Sequence, residues 1–94
     1  MRFEWDPDKA AVNLTKHGVN FEEASSVFAD TLAVIFDDEA HSTNEHREII
    51  IGHSQRSRLL LVSFVERESG IRLISARVAT RQEREDYEEN ALPG

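Results

Sequence analysis

Apolar residues recur along this 94-residue chain with two different periods, and the switches between them mark its elements. Arg2-Phe3-Glu4-Trp5 alternates, which predicts a short strand with Phe3 and Trp5 turned inward. Asp6-Pro7 then opens a helix, with the aspartate as N-cap and the proline at the first helical position, where no N–H is needed. Ala10, Leu14 and His17 form its expected inner stripe, with Ala11 beside them. His17-Gly18 ends the helix, because glycine accepts the left-handed backbone that follows a last turn. Asn20 with Glu23 has the spacing of a capping box and opens a second helix to about Ala29, whose inner stripe is Phe21, Ala24, Val27 and Phe28.

Four strand-like runs follow, over 31–36, 47–53, 58–66 and 71–79, all rich in Leu, Ile, Val or Phe. The linkers 54–57 and 67–70 are short enough for hairpins, so the last three strands are expected to be antiparallel neighbours. Residues 37–45 read as an acidic loop. Ile49-Ile50-Ile51 and Leu59-Leu60-Leu61-Val62 do not alternate, which implies cover on both faces of the central strands. In the last strand, Ile71, Leu73, Ser75 and Arg77 share one parity, so Arg77 is expected to be paired or functional. Thr80 and Glu83 form another capping box and begin a final helix carrying Arg81, Arg84 and Tyr87. The order β-α-α-β-β-β-β-α predicts an α+β domain with a twisted, mostly antiparallel sheet.

Ninety-four residues suffice for one domain, 1–94, with residues 91–94 expected to fray. No cysteine is present, which removes disulfides and thiolate chemistry. No apolar run approaches the roughly 20 residues of a membrane span, and Met1-Arg2-Phe3 does not open a signal peptide, so a cytoplasmic protein is expected. The net charge of −7 is unevenly spread: residues 1–45 hold all of it, and residues 46–94 are neutral overall. Within 47–84 lie eight arginines against four acids, and every base of that half is arginine, the side chain whose planar fork suits phosphate.

The residues alone leave several readings open. Arg81, Arg84 and Tyr87 share a helix face near Arg77, which suits a phosphate site; equally, Arg81–Glu85 and Arg84–Glu88 are ordinary ion pairs on a solvated face. Lys16-His17 sits in a last helical turn, where a histidine either contacts phosphate or merely caps carbonyls. Arg58 begins the strongest strand and either anchors a turn or adds a second fork beside Arg77. His41 and His46 would need carboxylates of the acidic loop to hold a metal, and no metal site is expected.

The stretches FEWDPDKAAVNLTKHGVNFEEASSVFAD, IIIGHSQRSRLLLVSFVE and RLISARVATRQEREDYE resemble the BrnT family of toxins from bacterial type II toxin–antitoxin systems. The resemblance covers nearly the whole chain and departs from it at Val78, where many relatives carry a basic residue. It implies a RelE-like fold and an endoribonuclease that halts translation without metal or cofactor. It also implies neutralisation by a BrnA-like ribbon-helix-helix antitoxin in a 2:2 complex, which touches operator DNA only through the antitoxin. Functional weight then falls on Arg77, Arg81, His17, Arg58 and Tyr87 for catalysis and on Lys9 and Lys16 for RNA binding, to which Arg84, on the helix face of Arg81, is expected to add. The expected chemistry is attack of a ribose 2′-hydroxyl on the adjacent phosphorus, with Arg77, Arg81 and Arg58 converging on the phosphate. Two other classes remain to be tested against it: a non-enzymatic acidic protein-binding module, and a metal-dependent nuclease.

Overall fold

The computed structural model describes residues 1–41 and 44–91; of the residues 91–94 expected to fray, Ala91 ends the last helix and 92–94 lie outside the described residues. Strand β1 (Phe3–Glu4) leads into helices α1 (Pro7–His17) and α2 (Phe21–Ser26), the latter extended by a 3-10 turn at Val27–Ala29. Strands β2 (Val34–Asp37), β3 (Arg47–His53), β4 (Leu59–Arg67) and β5 (Gly70–Val78) follow, and helix α3 (Arg81–Ala91) closes the chain. The predicted order of elements is therefore found. The sheet runs β1-β5-β4-β3-β2, antiparallel except where β1 lies parallel to β5. No helix among the described residues is long and apolar enough to cross a membrane.

Local chemistry sets these boundaries. Asp6 caps α1 by accepting the Asp8 N–H at 2.8 Å, and Gly18 stops it in the left-handed region at φ 70°. Strand β2 starts later than expected because Asp30 holds a turn, its carboxylate taking the Leu32 N–H at 2.9 Å and its carbonyl the Ala33 N–H at 3.1 Å. Gly70 also has a positive φ, 141°, and a Cβ there would stand 2.4 Å from the Arg2 carbonyl oxygen. Only glycine lets the β4–β5 turn pass under the first strand.

Both faces of the central strands are covered, as their unbroken apolar runs implied. On one face α1 and α2 pack Val19, Phe21, Ala24 and Val27 onto Ile50, Leu60, Val62, Phe64, Leu73 and Ala76. Phe28 bridges Phe3 and Phe64 there, with ring centroids 5.1 and 5.0 Å away. On the other face a smaller cluster places Tyr87 of α3 over Ile51, Leu59 and Leu61.

The inner stripe of α1 differs from expectation. Leu14 is exposed, and the buried position is Asn13. Because β1 is only two residues long, the edge of β5 beyond it lacks a strand partner, and the Asn13 side chain supplies one. Its Oδ1 accepts the Ala76 N–H at 3.0 Å, and its Nδ2 donates to the carbonyls of Ala76 and Val19, each at 2.9 Å. An amide thus substitutes for a missing stretch of backbone. Asn13→Leu strands these groups, and a stranded buried group costs roughly 1–3 kcal/mol. Urea denaturation is expected to register a loss of about 2–3 kcal/mol; a loss below about 0.5 kcal/mol would remove Asn13 from this role.

Candidate functional site

The end of β3, the start of β4, the end of β5 and the C-terminus of α1 meet at one end of the sheet. Ala79 N–H donates to the Leu59 carbonyl at 2.9 Å, and Arg58 Nη2 donates to the Gly18 carbonyl at 3.1 Å. This end gathers Lys16, His17, Arg56, Arg58, Arg77 and Arg81 by position, although their side chains take different directions.

Arg58 turns under the αα-hairpin. Its Nε donates to Glu23 Oε2 at 2.9 Å and its Nη2 to Glu23 Oε1. Glu23 is 1% exposed and also accepts the Ser54 hydroxyl at 2.7 Å. The Arg58 hydrogen bonds hold its carboxyl below the usual range, against the opposing pull of burial. Only half of the expected capping box therefore forms at α2: Asn20 accepts the Glu23 N–H at 2.7 Å, but the Glu23 carboxylate is used by Arg58 and Ser54.

Arg77 leaves the sheet on the opposite side, and the reason is a register shift. Ser63 pairs with Ser75 but Phe64 pairs with Leu73, so Ile74 is an extra residue in β5. Ile71 and Leu73 face the αα-hairpin, whereas Ser75 and Arg77 face the α3 side, which corrects the expected shared parity. Arg77 donates from Nη1 and Nη2 to the two oxygens of Glu83 at 2.7 and 2.8 Å. Glu83 also completes the predicted capping box, accepting the Thr80 N–H at 2.8 Å while its own N–H donates to Thr80 Oγ1 at 3.2 Å. The Arg77 fork is the main cause that lowers the Glu83 carboxyl to about 2.

Arg81, 92% exposed, donates to Glu85 at 3.2 Å, the expected i,i+4 pair. Arg84 is exposed, and the expected Arg84–Glu88 pair does not form among the described residues. Arg58, Arg77 and Arg81 thus share one end of the sheet but bind three different carboxylates, and the expected single pocket of guanidinium groups is not found. The cause is local: each arginine has an acid nearer than its fellow cations. Tyr87 also departs from the helix face expected of it. It is buried, its hydroxyl donates to the Leu32 carbonyl at 3.1 Å, and its ring meets His53 edge-on at 5.8 Å. Burial, and secondly the charge of Asp30, push its hydroxyl pKa up.

What the fold does bring together is Lys9, Lys16 and His17. With Asp8, Val12, Ile74 and Ser75 they line an open groove of about 320 Å³ between α1 and the bulged part of β5. Asn13 fixes the floor of this groove through Ala76.

A family model described as "Ribonuclease toxin, BrnT, of type II toxin-antitoxin system" matches residues 5–83. The chain belongs to the BrnT family. A 1.1 Å crystal structure of the Brucella abortus ribonuclease toxin BrnT resembles it with a TM-score of 0.66 and 25% identity, over 86% of this chain and 99% of that one. No curated protein matches the chain. The BrnT match takes in Lys9, Lys16, His17, Arg58, Arg77 and Arg81, and stops before Arg84 and Tyr87.

Sequence reasoning missed Asn13, Glu23 and Ser54 in this BrnT chain. The available signal was weak: Asn13 lies three residues after Ala10 and four before His17, on the same stripe. The weighed pairing of His46 with His41 and loop carboxylates takes another form: His46 joins Asp37 and Glu48, one ligand atom from each within 4.8 Å of the others. His46 Nε2 there lies 3.0 Å from Asp37 Oδ1. This group sits at the other end of β3, about 20 Å from the arginine-rich end at the usual rise of a strand.

Proposed function

We propose that this BrnT chain is a metal-independent endoribonuclease that inhibits translation in the cytoplasm, and that RNA lies along the α1–β5 groove. The observation that supports this most is the convergence of Lys9, Lys16 and His17 on one groove beside the strand that carries Arg77. Two ammonium groups on a helix face suit successive phosphates of a single strand, an electrostatic contact that weakens with salt.

The reaction is attack of a 2′-hydroxyl on the adjacent phosphorus, leaving a 2′,3′-cyclic phosphate and a free 5′-hydroxyl. The 2′ proton is lost to a base, and the departing 5′-oxygen receives one from an acid. His17, half-buried in the groove wall, is the group proposed to move one of these protons. Tyr87 is not, because its hydroxyl is buried and already donates to Leu32. Arg77 is proposed to stabilise the charge growing on the phosphoryl oxygens. Glu83 occupies two of its five N–H donors and fixes the fork, and the Val78 carbonyl takes a third at 3.5 Å, leaving two for phosphate. Arg81, at the exposed start of α3, extends the cationic rim, with Arg84 further along the helix. Arg58 acts by holding the α1 terminus in place through Gly18 and Glu23.

The partner is proposed to be a BrnA-type antitoxin in a 2:2 complex that reaches operator DNA through the antitoxin alone. Purified toxin is expected to cleave RNA at an unchanged rate in excess chelator, with cyclic-phosphate ends on the products. Loss of cleavage under chelation, restored by a divalent metal, would instead direct attention to Asp37, His46 and Glu48.

A further inference from the structure

Among the described residues, nothing pairs with the outer edge of strand β2. The sheet order leaves one side of it open, and Val34, Ile35 and Phe36 are 41, 52 and 44% exposed. Folded proteins usually blunt such an edge with lysine, proline or a bulge, none of which occurs in Val34–Phe36. Asp38 N–H donates to the Arg47 carbonyl at 2.9 Å, which sets the alternation of the β2–β3 ladder. By that alternation Val34 and Phe36 bond to β3, while the N–H and C=O groups of Ile35 and Asp37 point to the open side.

The same strand borders a second groove, of about 310 Å³, between the sheet and α3. Its floor is Val34, Phe36, Ile51 and Leu61, and its α3 rim carries Glu83 and Asp86. Acids predominate around it: Asp37 ends β2 on the opposite face, Asp38 and Glu39 follow, and α3 continues with Glu88 and Glu89. A second copy of the chain would set these acids against one another, so charge selects a cationic occupant.

We propose that an extended, amphipathic and cation-bearing segment of the antitoxin pairs with β2 as a sixth strand. Its apolar side chains cover Val34 and Phe36 on the α3 face, and the cations that alternate with them lie on the other face, beside Ile35 and Asp37. This rests on the reading of the chain as the toxin of a pair. Main-chain bonds along β2 supply affinity, and the groove supplies specificity. The edge lies on the far side of the sheet from the α1–β5 groove, so the segment does not occupy the proposed RNA path. It acts through α3 instead, where Glu83 both borders the docking groove and holds Arg77.

The test uses full-length toxin and the protein encoded by the adjacent gene. Ile35→Pro removes one outward N–H, and Ile35→Lys adds a like charge against a cationic strand; neither touches the core. Both are expected to weaken the complex at least tenfold by calorimetry, with melting temperature and RNA cleavage unchanged. Where Ile35→Pro fails to fold, Ile35→Lys decides. Hydrogen exchange at the Ile35 and Asp37 amides is expected to slow in the complex. Wild-type affinity in the variants, unslowed exchange, or a toxin dimer that Ile35→Lys dissolves would each overturn the proposal. Cleavage by the wild-type preparation keeps the two readings apart: an inactive toxin that still shows the β2 effect refutes the ribonuclease reading alone.

Discussion

Arg77→Ala lowers the rate of RNA cleavage by about 10²–10³-fold, the usual cost of removing one donor aimed at developing charge. The protein remains folded, because Arg77 is partly exposed at the end of β5 and Glu83 keeps its capping bonds to Thr80. Single-turnover cleavage by purified protein measures the effect, and expression in cells shows it as relief of growth arrest with antitoxin binding intact. Arg77→Lys recovers only part of the rate, since a single ammonium cannot hold both oxygens of Glu83 and still present a fork to phosphate. A fully active Arg77→Ala protein at equal expression refutes the assignment.

Arg58→Ala is expected to act on stability first. It leaves the Glu23 carboxylate, 1% exposed, with only the Ser54 hydroxyl and the more distant Arg56 guanidinium at 3.9 Å. Breaking a buried pair costs roughly 3–5 kcal/mol, and the partial exposure of Arg58 favours the lower end, about 3 kcal/mol. For a domain of this size that is a fall of roughly 12–24 °C in melting temperature. The double change Glu23→Leu with Arg58→Leu removes both charges and recovers most of the loss. Cleavage by that refolded double variant then separates the two roles of Arg58: restored activity means that it positions α1, and continued inactivity means that it touches the phosphate.

Much of the fold was legible because local signals agreed with one another. Asp6-Pro7, His17-Gly18 and Thr80 with Glu83 fix helix ends by bonds that span at most a few residues. The doubly apolar runs of β3 and β4 fix a sheet covered on both sides. The site was less legible, because long-range pairing decides where an arginine points. Nothing in the alternation of β5 announces the extra Ile74, and that one residue sends Arg77 to the opposite face from Leu73. Glu23 and Glu83 carried the same capping spacing, yet only Glu83 closes its box. Glu23 faces Arg58 and Ser54, 35 and 31 residues away, and they capture its carboxylate. Leu14 and Asn13 exchange their expected places for a similar reason: the short β1 leaves an open strand edge, which an amide satisfies and a leucine does not.

The Asn13–Ala76 contact closes a loop of 63 positions. On a chain emerging from the ribosome, Lys9, Lys16 and His17 are made early, but the wall opposite them is not made until β5 is nearly complete. The cleft proposed to bind RNA is therefore completed only with the last fifth of the chain, and that delay leaves an interval in which an antitoxin meets an unfinished toxin.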